Sequence, residues 1–128
     1  MRILLDTHTL LWAILTPQKL SPLASKTISR GATVLVSPVS VWEIATKVRL
    51  GKLPEAQEIE ADLLSVIERE AGYTLITIDA ASSLRAARFN SPHRDPFDRM
   101  LAAQALSEDI PIVSADPKLD SFGVQRIW

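Results

Sequence analysis

The segment that most restricts how this chain can fold is Arg94-Asp95-Pro96-Phe97-Asp98-Arg99-Met100-Leu101-Ala102-Ala103-Gln104-Ala105. Aspartate followed by proline is a helix start. The Asp95 carboxylate can accept the orphan N–H groups of the first turn, and Pro96 at the first helical position has no N–H to satisfy. Steps of three and four from Asp98 reach Leu101, Ala102 and Ala105, so this acid heads the apolar stripe that turns toward a core. Asp98 is therefore expected to point inward. A negative charge in a first turn also complements the helix dipole, by about 0.3–1 kcal/mol at an exposed site, so the residue alone admits a structural and a chemical reading. Asp95 reads as a cap.

The rest of the chain supplies the frame for that helix. Arg2 to Leu5 is a short apolar strand closed by Asp6, and Thr7 to Leu15 suits a helix that buries Leu10, Leu11, Ile14 and Leu15. Ser21-Pro22 starts a second helix that runs to Gly31, and Ala32 to Val36 is a second strand. A third helix opens at Ser37-Pro38 or at Ser40 and continues to Gly51; Ser40-Val41-Trp42-Glu43 has the spacing of a capping box. After Pro54, Ile59, Leu63, Val66 and Ile67 are spaced for one amphipathic helix ending near Gly72. Thr74 to Ile78 is a strand, Asp79 caps a helix bearing Leu84, Ala87 and Phe89, and Asn90 to His93 is a loop. Ile110 to Ala115 and Val124 to Ile127 are the last strands. Strands alternating with helices predict a single three-layer α/β domain, a mostly parallel sheet of four to five strands flanked by helices.

Composition narrows the function classes. At 128 residues, 47% hydrophobic and 23% charged, the chain suits one globular domain over residues 1–128. Nothing approaches the ~20 apolar residues of a membrane span, and the charge at Asp6 interrupts any apolar signal region. With no cysteine, disulfides and Cys-based zinc sites are excluded, and a reducing cytoplasm is the expected location. The net charge of −1 gives no overall attraction to nucleic acid, so any basic surface is local. Acids crowd residues 55–70, whereas Lys47, Arg49 and Lys52 precede that window and Arg85, Arg88, Arg94 and Arg99 follow it.

In open α/β sheets ligands bind outside the carboxyl ends of the strands. Asp6 ends the first strand, Asp116 follows the fourth, and Glu43 and Asp98 lie on helices that can lean over the same rim. Two carboxylates about 4 Å apart repel by roughly 4 kcal/mol at an effective dielectric of 20, so converging acids require protons or cations. Oxygen-only ligands suit Mg²⁺ or Mn²⁺, which can activate water and steady a leaving oxygen in phosphodiester cleavage. Thr7 and Ser114, each beside an acid, can hydrogen-bond a carboxylate or a bound water, or close a strand end. Glu43 can equally be a capping-box residue, and Asp116-Pro117 a turn. His8 and His93 are too few and too far apart for a zinc motif and read as loop or core residues. The four glycines sit at element ends, so there is no phosphate-binding glycine loop, and Trp12 and Trp42 fall on helical stripes as core or partner-facing anchors.

Leu-Leu-Asp-Thr-His at residues 4–8, Ser-Val-Trp-Glu-Ile-Ala-Thr-Lys-Val-Arg-Leu-Gly-Lys-Leu at 40–53, His-Arg-Asp-Pro-Phe-Asp-Arg-Met-Leu-Ala-Ala-Gln-Ala at 93–105 and Ser-Ala-Asp at 114–116 together resemble the PIN-domain ribonucleases of the VapC toxin type. The resemblance covers essentially the whole chain in order. It implies a Mg²⁺- or Mn²⁺-dependent endoribonuclease, the toxin of a toxin–antitoxin pair. Asp6, Glu43, Asp98 and Asp116 match the family's acidic residues. It also implies a homodimer silenced by a VapB-type antitoxin. Ser114 stands where many relatives have threonine, and the last acid, here Asp116, is the most variable in importance. Lys47, Arg94 and Arg99 lie near the motifs and could draw RNA phosphates toward the acids. Two other functions fit the same acids: a non-catalytic module that binds a partner's arginine, and a metal-dependent phosphohydrolase acting on small phosphate esters. Against the second, no Asp-x-Asp pair follows the first strand, since His8 is the second residue after Asp6.

Overall fold

Alternation along the strands builds the sheet. In a computed structural model that describes all 128 residues, Ile3 and Leu5 face one side of strand β1 (Arg2–Leu5) and Leu4 faces the other, and all three are fully buried. A strand buried on both faces belongs at the middle of a covered parallel sheet. β1 does lie there, in the order β3-β2-β1-β4-β5 with every pairing parallel; the others are β2 (Thr33–Val36), β3 (Thr74–Leu75), β4 (Ile112–Val113) and β5 (Arg126–Ile127). The protein is a single α/β domain, with five strands rather than four.

Helices α1 (Thr7–Leu15), α2 (Pro22–Ser29), α3 (Pro38–Arg49), α4 (Gln57–Glu60), α5 (Leu63–Ser65), α6 (Ala80–Arg88) and α7 (Pro96–Ser107) cover the two faces. Ile3, Leu5, Leu10, Val34, Val36 and Ile44 share one core. Leu4, Leu35, Leu101, Ala102, Ala105 and Ile112 form the other, so the stripe that Asp98 heads is the buried side of α7. No helix is long and apolar enough to cross a membrane.

Three sequence expectations change, and one open alternative is decided. The acidic window does not form one helix: Asp62 leaves helical geometry (φ −132°, ψ 37°), and a 3₁₀ turn, α4, α5 and a π-helical turn over Val66–Glu70 replace it. The break still delivers Ala56, Leu63 and Ile67 to the first core. β3 stops at Leu75 instead of Ile78, because the following segment leaves the ladder and the Thr77 carbonyl accepts from the side chain of Gln104 (3.0 Å). β4 and β5 are each two residues long, shorter than their apolar runs. Finally, α3 starts at Pro38, capped by the Ser37 hydroxyl, which accepts from the Val39 amide (3.1 Å). Ser40 therefore lies inside the helix, and the capping box with Glu43 does not form.

Two polar side chains of α7 hold the irregular parts of the fold. Gln104, 2% exposed, accepts from the Ser37 hydroxyl and donates to Thr77, tying the end of β2 to the segment beyond β3. Arg99 donates Nε to the Ala86 carbonyl (2.8 Å), Nη2 to those of Phe89 (2.7 Å) and Ala87 (3.3 Å), and Nη1 to those of His93 (2.8 Å) and Ser91 (3.4 Å). Its guanidinium also lies 5.9 Å from the ring centroids of both Phe89 and Phe122. This fork fixes the loop between α6 and α7 and occupies the donors that a phosphate contact would need. Arg99→Lys keeps the charge and loses the fork geometry, so we expect a stability loss of about 2–3 kcal/mol in urea denaturation, with faster amide exchange over residues 89–94.

Candidate functional site

Asp6 is the first residue past β1 and the N-cap of α1, with Oδ1 accepting from the Thr9 amide at 2.8 Å. The ladder partner beyond β4 is Ser114, whose hydroxyl donates to Asp6 Oδ2 at 2.5 Å and accepts from the Asp116 amide at 3.0 Å. One hydroxyl thus links two of the acids singled out in the sequence. The Ser114 carbonyl accepts from Arg126 Nη1 (3.0 Å), and Arg126 is anchored in turn by Asp120 (2.8 Å). Asp6 is only 5% exposed. Burial pushes its pKa up, and the hydrogen bonds from Ser114 and Thr9 offset part of that rise.

Asp95 caps α7 as its sequence predicts, accepting from the Phe97 (2.8 Å) and Asp98 (3.2 Å) amides. That start aims Asp98 at the loop before it, where His93 Nε2 lies 2.7 Å from Asp98 Oδ2. Burial raises the Asp98 pKa to about 6; the charges of Asp95 and Asp6 push the same way, and His93 opposes them. Asp116 caps the last 3₁₀ turn through the Lys118 amide (3.0 Å). One ligand atom each from His93, Asp98 and Asp116 lie within 4.8 Å of one another.

Glu43, 4% exposed, lies on α3 one turn beyond Ser40, whose hydroxyl is 2.9 Å from that of Thr7. Its neighbour Trp42 packs edge-on against Phe97, the residue before Asp98, with ring centroids 5.0 Å apart. α3 therefore reaches both the Asp6 end of α1 and the start of α7. The Glu43 charge is met by Lys47 one turn along, Nζ to Oε2 at 2.5 Å. Lys47 is thus directed at a buried carboxylate in this arrangement. Arg94 is exposed.

The structure draws Asp98 and Asp116 into one cluster, couples Asp6 to them, and sets Glu43 on the adjoining helix with its own cation. His93 is the member that sequence reasoning passed over as a loop residue; its signal was its position, five residues ahead of Asp98 on the approach to a capped helix. An imidazole nitrogen and carboxylate oxygens at this spacing, beside the buried Asp6, are donors that suit a divalent cation, and the raised Asp98 pKa comes chiefly from burial, with the charges of Asp95 and Asp6 adding to it. A cavity of about 390 Å³ lined by Pro92, His93, Pro117, Lys118 and Ser121 opens beside the cluster.

The fold has clear structural relatives. VapBC2 from Rickettsia felis, solved bound to a DNA fragment from its promoter, superposes with a TM-score of 0.70 at 15% identity over 98% of this chain and 97% of that one. FitAcB from Neisseria gonorrhoeae gives 0.63 at 19% identity, over 97% and 95%. VapBC-1 from nontypeable Haemophilus influenzae gives 0.59 at 18% identity, over 98% and 96%. No curated protein shows significant similarity to the sequence. The family model of the PIN domain matches residues 3–124, nearly the whole chain, and this protein belongs to the PIN-domain family.

Proposed function

We propose that this protein is a divalent-metal-dependent endoribonuclease, the toxin of a VapBC-type toxin–antitoxin pair, with Asp6, Glu43, Asp98 and Asp116 as its acidic centre. The observation that carries this reading is the convergence of Asp98 and Asp116 beside buried Asp6 at the strand ends of a PIN fold. The likeness to VapBC and FitAB structures supports the toxin assignment. Mg²⁺ or Mn²⁺, held by these carboxylates, would supply an activated water and neutralise charge at the scissile phosphate.

The chain's own groups prepare that chemistry. Ser114 and the Thr9 amide fix the two oxygens of Asp6. The Thr7 hydroxyl meets Ser40 and braces the helix that carries Glu43. Asp98 is oriented by its capped helix and by His93, and Asp116 by the turn it caps. Lys47 keeps Glu43 neutralised and leaves that charge available when a cation competes for it. Arg94, exposed and next in sequence to His93, is a basic group free to meet an RNA phosphate; Arg99, engaged with backbone carbonyls, serves the scaffold. The exposed Trp42, Leu50 and Leu64 offer apolar surface for a VapB-type antitoxin or a second copy of the chain.

Three measurements test the reading. Asp6→Asn should lower divalent-dependent cleavage of a structured RNA by about 10–100-fold or more and relieve growth arrest; undiminished cleavage would reject the centre. Arg94→Gln should weaken RNA binding across sequences and reduce the salt slope of log K by about 0.7 on single strands. The third follows from Asp98. Its folded pKa of about 6 exceeds the ordinary 3.8, so between those values the native state binds more protons than the unfolded chain, and stability from this group falls as pH rises through the window. A cation favours the carboxylate and reverses the penalty. The thermal shift produced by Mn²⁺ should be larger near pH 7 than near pH 5, and Asp98→Asn should flatten that difference.

A further inference from the structure

We propose that His93 is a nitrogen ligand of the cation site and that it biases this centre toward a first-row transition-metal ion over Mg²⁺. The inference rests on the metal-dependent reading above and adds a member to its donor set. Metal bonds of about 2.1 Å place neighbouring donors of an octahedral ion ~3 Å apart and opposite donors ~4.2 Å apart. His93 Nε2 and Asp98 Oδ2 stand 2.7 Å apart, and the atoms of the His93, Asp98 and Asp116 trio all fall within 4.8 Å. The three atoms are close enough to converge on one ion once the 2.7 Å pair opens to about 3 Å and the wider separations close to about 4.2 Å or less. Coordination through Nε2 requires the ring proton on Nδ1, so the hydrogen bond to Asp98 is exchanged for shared ligation.

The position of the imidazole is built. The His93 amide donates to Ser91 Oγ (3.2 Å), and Ser91 Oγ lies 2.7 Å from Ser121 Oγ. The His93 carbonyl accepts from Arg99, and the ring tilts against Phe122 with centroids 5.7 Å apart. The loop is thereby held on both sides of the residue, and the side chain is only 15% exposed. The ring lies at the edge of the second core, against Phe122, and its Nε2 is turned toward Asp98. Mg²⁺ binds oxygen and keeps its waters, whereas an imidazole donor favours transition ions.

The test uses the purified full chain and His93→Gln, with thermal melts to establish that the variant is folded. Mn²⁺ binding is titrated by EPR, Mg²⁺ by competition, and pulsed EPR at saturation reads directly bound ¹⁴N. We expect a ¹⁴N signal in the wild type that His93→Gln abolishes, an Mn²⁺ affinity lowered by about tenfold or more, and a smaller change for Mg²⁺. An oxygen-only Mn²⁺ signal in the wild type, a ¹⁴N signal that survives in the variant and so arises from His8, or equal losses for both ions would each overturn the proposal. Mn²⁺ held by oxygens alone would leave the proposed function standing, whereas no Mn²⁺ binding at all would remove both.

Discussion

A carboxylate at the end of a fully buried central strand is the constraint that organises this molecule. Asp6 is nearly inaccessible, and an ion of that size in a low-dielectric setting is tolerated only when its oxygens are bonded. The parallel register meets the demand. Leu5 pairs with Val113, so the next residue of each strand brings Ser114 to Asp6, and Ser114 in turn holds the Asp116 amide. The same pairing that closes the core thereby draws two acids from opposite ends of the chain to one rim. Beyond β4, Arg126 reaches back to the Ser114 carbonyl, so the last strand also supports the first acid.

The helices contribute through how they begin and what they brace. Asp95 and Pro96 set the axis of α7, which decides where Asp98 faces, and Ser37 with Pro38 does the same for α3 and Glu43. From further along α7, Arg99 and Gln104 bind backbone and side-chain groups in the loops at the rim. A single helix therefore carries an acid of the cluster, the clamp on the loop that holds His93, and the tie between β2 and the segment beyond β3. Substitutions on α7 that touch no ligand still bear on the geometry of the centre.

Local chemistry made much of this legible from sequence. The caps at Asp79 and Asp95 and the inward stripe of α7 appear where the residues put them, because each depends on neighbours within one turn. That the sheet is parallel follows from strands alternating with helices. What stayed hidden depended on distant partners. His93 has no meaning as a ligand candidate until Arg99 fixes its loop, and Lys47 looks like a free cation until burial of Glu43 claims it. The start of α3 was ambiguous because both Ser37 and Ser40 are competent caps; Ser37 prevails, and its hydroxyl donates to the side-chain oxygen of Gln104 on another helix. The acidic window misled because its apolar spacing suits a helix, whereas the turn at Asp62 resets the phase.

The flanks of the sheet carry a consequence of their own. β3 and β5 present only two residues each at its outer margins, too little exposed backbone to template an additional strand. Growth by strand addition is thus disfavoured on both sides, which turns a companion chain toward helical and loop surfaces.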